Sequence, residues 1–231
     1  MHVILRDKTI NSETTRTDAG EAGRSIVETL MVLTIAAILI SVAVPQMLSA
    51  RRLIRTSSMA REIATQLRFA RQQAMTQRQA FTFQYDNSTK SVKIFDHNNT
   101  NNANAGCNMT GQQVLSTSGY PNTACSSLVT TTPLATGAGA TELVYGIPGT
   151  ITNTTLDDGN TLTALSPSGV VNITFQSDGT VVDNTGTFTK AALFFYNNQV
   201  PTSTASAISV LGAAGRIKVW RYSTSANKFA E

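Results

Sequence analysis

The sequence predicts an α+β protein, a long N-terminal helix whose first half spans a membrane, packed on a mostly antiparallel, β-sandwich-like head. Three observations predict it. From Ile26 to Val44 the only ionisable side chain is Glu28. From Gln46 to Gln79 apolar residues recur at helical spacing with no Gly or Pro among them. After Gln79 the apolar pattern becomes alternating, between turns rich in Gly, Asn, Asp, Pro and Ser.

The first segment is long enough, as a helix, to cross a hydrocarbon core of about 30 Å. A carboxylate just inside such a helix costs on the order of 1–3 kcal/mol unless it stays near the interface or finds a partner. Glu28 is therefore a functional candidate, with snorkelling to the headgroups as the alternative. Pro45 closes the run.

The second segment continues the helix. Leu53, Ala60, Ile63, Leu67, Ala70 and Ala74 fall at spacings of three, four or seven and form one apolar stripe. Arg61 and Arg68 lie opposite it, and Arg71 and Arg78 border it, where their stems can pack. Seven arginines lie between Arg51 and Arg78 against one acid, Glu62, so the formal charge of +4 is concentrated here. These arginines read as a solvated face or as a surface complementary to a neighbouring subunit.

Beyond Gln79, Phe81, Phe83 and Tyr85, then Val92 and Ile94, flank Asp86-Asn87-Ser88-Thr89 and predict a β-hairpin. Further strands are predicted at Leu143 to Ile147, Val170 to Gln176, Ala191 to Tyr196, Ile208 to Leu211 and Arg216 to Tyr222. No second helical period and no internal repeat is visible. The interval 96–141 reads as a long loop. The chain thus divides into the residues before the apolar run, the membrane and stalk helix as far as Gln79, and 80–231, the head, a size that can bury a core.

Gly23, followed by Arg24-Ser25-Ile26-Val27-Glu28 and an uninterrupted apolar helix, closely resembles the class III signal of type IV pilins and type II secretion pseudopilins. The resemblance implies a pilin-like fold and cleavage by a prepilin peptidase on the cytoplasmic side after Gly23, which sets the first boundary and makes 1–23 a leader and 24–79 the membrane and stalk helix. It implies N-methylation of the new terminus at Arg24, and an assembly role for Glu28, whose carboxylate pairs with the terminal amine of a neighbouring subunit. Two charges among apolar helices are tolerable when they neutralise each other. The same resemblance makes Pro45 a helix-kinking proline and places the chain in the bacterial inner membrane, single-pass, with its head in the periplasm. The chain departs from the pattern at Arg24, where the family usually has Phe or Met, and in the length of residues 1–23. Removing those residues takes away three basic and four acidic side chains and leaves a more basic chain. Cys107 and Cys125 in an exported domain suggest one disulfide, worth about 3 kcal/mol by loop entropy if unstrained; two free thiols are the alternative.

Leu67-Arg68-Phe69-Ala70-Arg71-Gln72-Gln73-Ala74, Ile173-Thr174-Phe175-Gln176-Ser177-Asp178-Gly179-Thr180 and Gly215-Arg216-Ile217-Lys218-Val219 narrow the resemblance to the GspH/FimT group of minor pilins. That implies a low-copy structural subunit which helps initiate or cap a filament, with other major and minor pilins or pseudopilins as partners. A second class is a DNA-binding minor pilin for DNA uptake. Arg216, Lys218 and Arg221, with Lys228, interleave with Trp220 and Tyr222, and alternation puts Arg216 and Lys218 on one strand face. An ordinary exposed strand explains the same residues. A third class is a tethered adhesin that never assembles.

Catalysis finds little footing. His2 and His97 are the only histidines, and no nucleophile, base and acid stand together. No cofactor or zinc spacing is present, and Asp157, Asp158, Asp178 and Asp183 read as turn residues before calcium ligands. Pilus and secretion pseudopilus are not distinguished by these residues.

Overall fold

The computed structural model describes residues 25–97, 126–183 and 187–231. Helix α1 runs Ile26–Gln77 and belongs to two compact units, divided between Pro45 and Gln46.

In the first unit every described residue of α1 is exposed except Ala36, which is half-exposed. Ile26, Leu33, Ile38 and Leu39 are all more than half exposed, so this apolar surface finds no cover among the described residues. Thr29, Thr34 and Ser41 return their hydroxyls to carbonyls three or four residues back, which leaves no unpaired hydroxyl on the apolar segment.

In the second unit α1 is a core helix. Thr56, Met59, Ala60, Ile63, Ala64, Leu67, Ala70 and Ala74 are buried, at the spacing the stripe predicts. Leu53, expected on that stripe, is exposed, because burial of α1 in the head begins only at Thr56.

Two five-stranded antiparallel sheets complete the head. Strands β1 (Phe81–Asp86), β2 (Ser91–Asp96), β3 (Ser127–Pro133), β5 (Val170–Phe175) and β6 (Val181–Val182) form the first, in the order β3-β2-β1-β5-β6. Strands β4 (Leu143–Tyr145), β7 (Ala191–Asn197), β8 (Ser206–Leu211), β9 (Arg216–Ser223) and β10 (Lys228–Ala230) form the second, in the order β10-β9-β8-β7-β4. The predicted hairpin is β1–β2. Asp86 closes it: Oδ1 accepts from the Ser88 amide at 2.9 Å and hydroxyl at 2.6 Å, and Oδ2 accepts from Lys93 Nζ at 2.9 Å. Desolvation raises this carboxyl, but the Ser88 and Lys93 bonds outweigh it and hold it well below the usual range.

The strand period decides which faces meet. Phe81, Phe83 and Tyr85 of β1, Ile173 and Phe175 of β5, and Leu193 and Phe195 of β7 share one core with the stripe of α1. Tyr85 sits at its centre, stacked on Tyr145 at 5.3 Å and edge-on to Phe195 at 5.0 Å. The opposite face of the second sheet carries its own cluster, where Ala192, Phe194, Ala207, Trp220 and Phe229 are covered by Ile151 and Leu156.

Three features differ from expectation. The interval 96–141 holds β3 and a short helix α2 (Ala138–Glu142), so its end is regular; the part from 98 to 125 lies outside the described residues. β3 gave no alternating signal, since Thr130-Thr131-Thr132 follows two exposed apolar residues, Leu128 and Val129. Two further helices follow α1, α2 and α3 (Pro201–Thr204), both too short to show a period.

Candidate functional site

The three stretches quoted for the narrower resemblance meet at one point. Leu67–Ala74 lies in α1, Ile173–Thr180 covers the second half of β5 and the turn after it, and Gly215–Val219 opens β9. Arg71 Nε donates to the Gly179 carbonyl at 3.2 Å and its Nη2 donates to the Ala214 carbonyl at 3.0 Å. Both turns need glycine. Gly179 has φ +81° and Gly215 φ +56°, and a Cβ at Gly215 would lie 2.0 Å from the Gly179 carbonyl oxygen and 2.6 Å from Arg71 Nε. The helix thereby ties a turn of the first sheet to a turn of the second.

At the other end of the head's part of α1, Arg52 grips Glu142 with both arms. Nε donates to Oε2 at 3.2 Å and Nη2 to Oε1 at 3.1 Å, while Asn197 Nδ2 donates to Oε2 at 2.9 Å. The Arg52 and Asn197 bonds hold the Glu142 carboxyl below its ordinary range. Glu142 and Asn197 had no sequence signal, because each is remote in the chain from Arg52.

The basic terminal strand is as much structural as free. Arg216 and Lys218 share one parity of β9, as alternation predicts, but Arg221 has the other, so the three residues do not form one face. Arg216 and Arg221 are exposed. Lys218 Nζ is bonded to Glu231 Oε2 at 2.6 Å and lies 4.8 Å from the centre of the Trp220 ring. Trp220 is buried, its Nε1 donating to Ser209 Oγ at 2.8 Å, so it is a core residue and not an exposed stacking platform. Lys228 faces Asp157 at 3.5 Å.

Glu28 lies in the first turn of α1, where a carboxylate complements the helix dipole. Its amide donates to the Ser25 carbonyl at 2.9 Å. Pro45 lies inside α1 and can give no amide bond to the turn before it. Gly23, Arg24, Cys107 and Cys125 lie outside the described residues.

Of the aspartates expected in turns, Asp157, Asp158 and Asp178 occupy them, and Asp183 lies outside any described turn. Asp178 Oδ1 accepts from the amide and hydroxyl of Thr180, and Asp158 Oδ1 from the amide of Asn160. Among the described residues no three His, Cys, Asp or Glu side chains are grouped to hold a metal.

No family model matches the chain, and no curated protein does. Solved structures resemble it. The type IV minor pilin FimU of Pseudomonas aeruginosa, in two crystal forms, is 18% identical, with TM-scores of 0.40 and 0.39, over 76% of this chain and 92% and 97% of FimU. The minor pseudopilin EpsH of the Vibrio cholerae Type 2 Secretion System is 14% identical, with a TM-score of 0.39, over 72% of this chain and 97% of EpsH. Likeness at this level assigns no family.

Proposed function

We propose that this chain is a minor pilin or pseudopilin, a structural subunit that enters a type IV pilus or type II secretion pseudopilus and helps initiate or cap it. One observation carries the reading: α1 is uncovered apolar surface from Ile26 to Val44, with Glu28 alone charged, and core of a β-rich head from Thr56 to Ala74. Such a helix suits a subunit that is stored in lipid and later packs against its own kind, with binding and assembly in place of chemistry. Prepilin peptidase removes residues 1–23, Arg24 becomes the methylated terminus, Pro45 bends the helix, and Glu28 neutralises a neighbour's terminal amine. The inner membrane holds the chain before assembly, with the head in the periplasm.

Mass spectrometry of the membrane-extracted protein tests this reading. A chain beginning at Arg24 is expected, and a mature terminus elsewhere would overturn it.

DNA uptake is the second reading. It rests on Arg216 and Arg221, which are exposed, and draws less on Lys218, which Glu231 engages.

A further inference from the structure

We propose that a groove between α1 and the end of β3 takes the anionic headgroup of a glycerophospholipid, with Arg51 and Arg55 holding the phosphate. The inference rests on the membrane reading of α1 given above. The groove is open to solvent, with a volume of about 890 Å³, and is lined chiefly by Arg51, Ile54, Arg55, Met59, Pro133 and Leu134.

Arg51 and Arg55 are one helical turn apart and therefore on one face. Both are exposed, and neither forms an ion pair among the described residues. Arg52, between them in sequence, is committed to Glu142 and adds no free charge. Arg55 is nevertheless placed: its Nη1 lies 2.9 Å from where a Cβ of Gly139 would be, so the side chain rests on the bare backbone of α2. Among the described residues the one acid lining the groove is Glu62, seven residues beyond Arg55, about 10 Å along the helix, and it accepts from Gln66 Nε2 at 2.8 Å; Glu142, outside the groove, feels the Arg55 charge but is already bonded by Arg52 and Asn197.

The lining selects an amphiphile. Two guanidiniums suit a phosphodiester. Ile54 is 67% exposed, and with Met59, Pro133 and Leu134 it offers apolar contact that a free phosphate ion would leave unused. A lipid is the favoured source because Arg51 follows the apolar run closely, with only Gln46–Ala50 between it and Pro45. Basic side chains beside a membrane segment attract anionic headgroups.

The test is native mass spectrometry of the full chain in nonionic detergent, offered equal amounts of phosphatidylglycerol and phosphatidylcholine. Retention of phosphatidylglycerol on the order of tenfold above phosphatidylcholine is expected. R51Q/R55Q should bring the two lipids level, while R61Q/R68Q, which removes the same charge from exposed positions of α1 outside the groove, should keep the preference. Arg51→Gln alone, at an exposed unpaired residue, should reduce the preference without touching the fold, which thermal unfolding by circular dichroism verifies. Equal retention of both lipids by the wild type overturns the proposal. So does equal loss in the two double variants, or displacement of the lipid by millimolar inorganic phosphate. Carbonate extraction separates the layers: a chain that stays in the membrane but shows no preference sinks this inference alone, and a chain that carbonate removes sinks the membrane reading with it.

Discussion

Arg71 of α1 donates to the carbonyl oxygen of Gly179, across a separation of more than a hundred residues. Because the same guanidinium also reaches Ala214, it joins the helix to both sheets. Arg71→Ala should therefore destabilise the head by about 1–3 kcal/mol, since it removes two bonds and leaves the carbonyl of buried Gly179 without its Arg71 partner, while the exposed Ala214 carbonyl turns to water. Arg71→Lys should restore little, because one ammonium lacks the planar fork that meets two acceptors. Gly215→Ala should be at least as damaging, for its Cβ would strike the Gly179 carbonyl. Equilibrium urea unfolding reads all three, and wild-type stability in Arg71→Ala would remove the clamp from the account.

His97 makes stability depend on pH. Its Nε2 shares a hydrogen bond of 2.7 Å with Thr82 Oγ1, which in turn meets Thr174 Oγ1 at 2.8 Å. Burial depresses the ring to about 4, against an ordinary 6.5. The unfolded chain thus binds the proton more readily, so this contribution is complete above pH 6.5 and is lost as pH falls toward 4. It amounts to roughly 3 kcal/mol. Melting temperature followed from pH 7.5 to 4 should fall across that window, and His97→Gln should flatten the window.

Glu28→Ala should leave membrane insertion intact, because it removes a charge from an apolar segment, and should abolish incorporation into filaments. Carbonate extraction reads the first and immunoblots of sheared filaments the second. Normal incorporation of the variant would refute the assembly role.

Cys107 and Cys125 should be joined in the exported protein. Intact mass after alkylation, with and without reductant, decides between the bond and two free thiols.

If the head binds duplex DNA, affinity should fall steeply with salt, and R216Q/R221Q should remove most of it. Lys218→Gln should instead act on stability, by freeing Glu231 and uncovering Trp220, with little effect on binding. Gel-shift titrations at several salt concentrations, run beside unfolding curves, separate the two; binding that survives R216Q/R221Q ends the DNA reading at this strand.

Much of the helix and sheet framework was legible because its signals are local. The stripe through Ala60, Ile63, Leu67, Ala70 and Ala74 needs only a helical period, and the β1–β2 hairpin only alternation and the Asp86 turn. Strands β6 and β10 are two and three residues long and leave no period to read. β3 is defined by its pairing with β2 and not by its own pattern. The site was less legible for the same reason. Alternation placed Lys218 on its face, but nothing near it in sequence announces Glu231, and the Arg71 clamp joins three stretches that had been visible only one at a time.

The stripe of α1 in the head also has a mechanical consequence. A pull along the helix axis at Gln46 would load the contacts from Thr56 to Ala74 in shear, all together, where a pull across the axis would peel them in succession. The Arg71 bonds, near the far end of that stripe, would resist the last slip. Stretched lengthwise in a force spectrometer, this domain should yield at a higher force than when it is drawn apart from its two sheets.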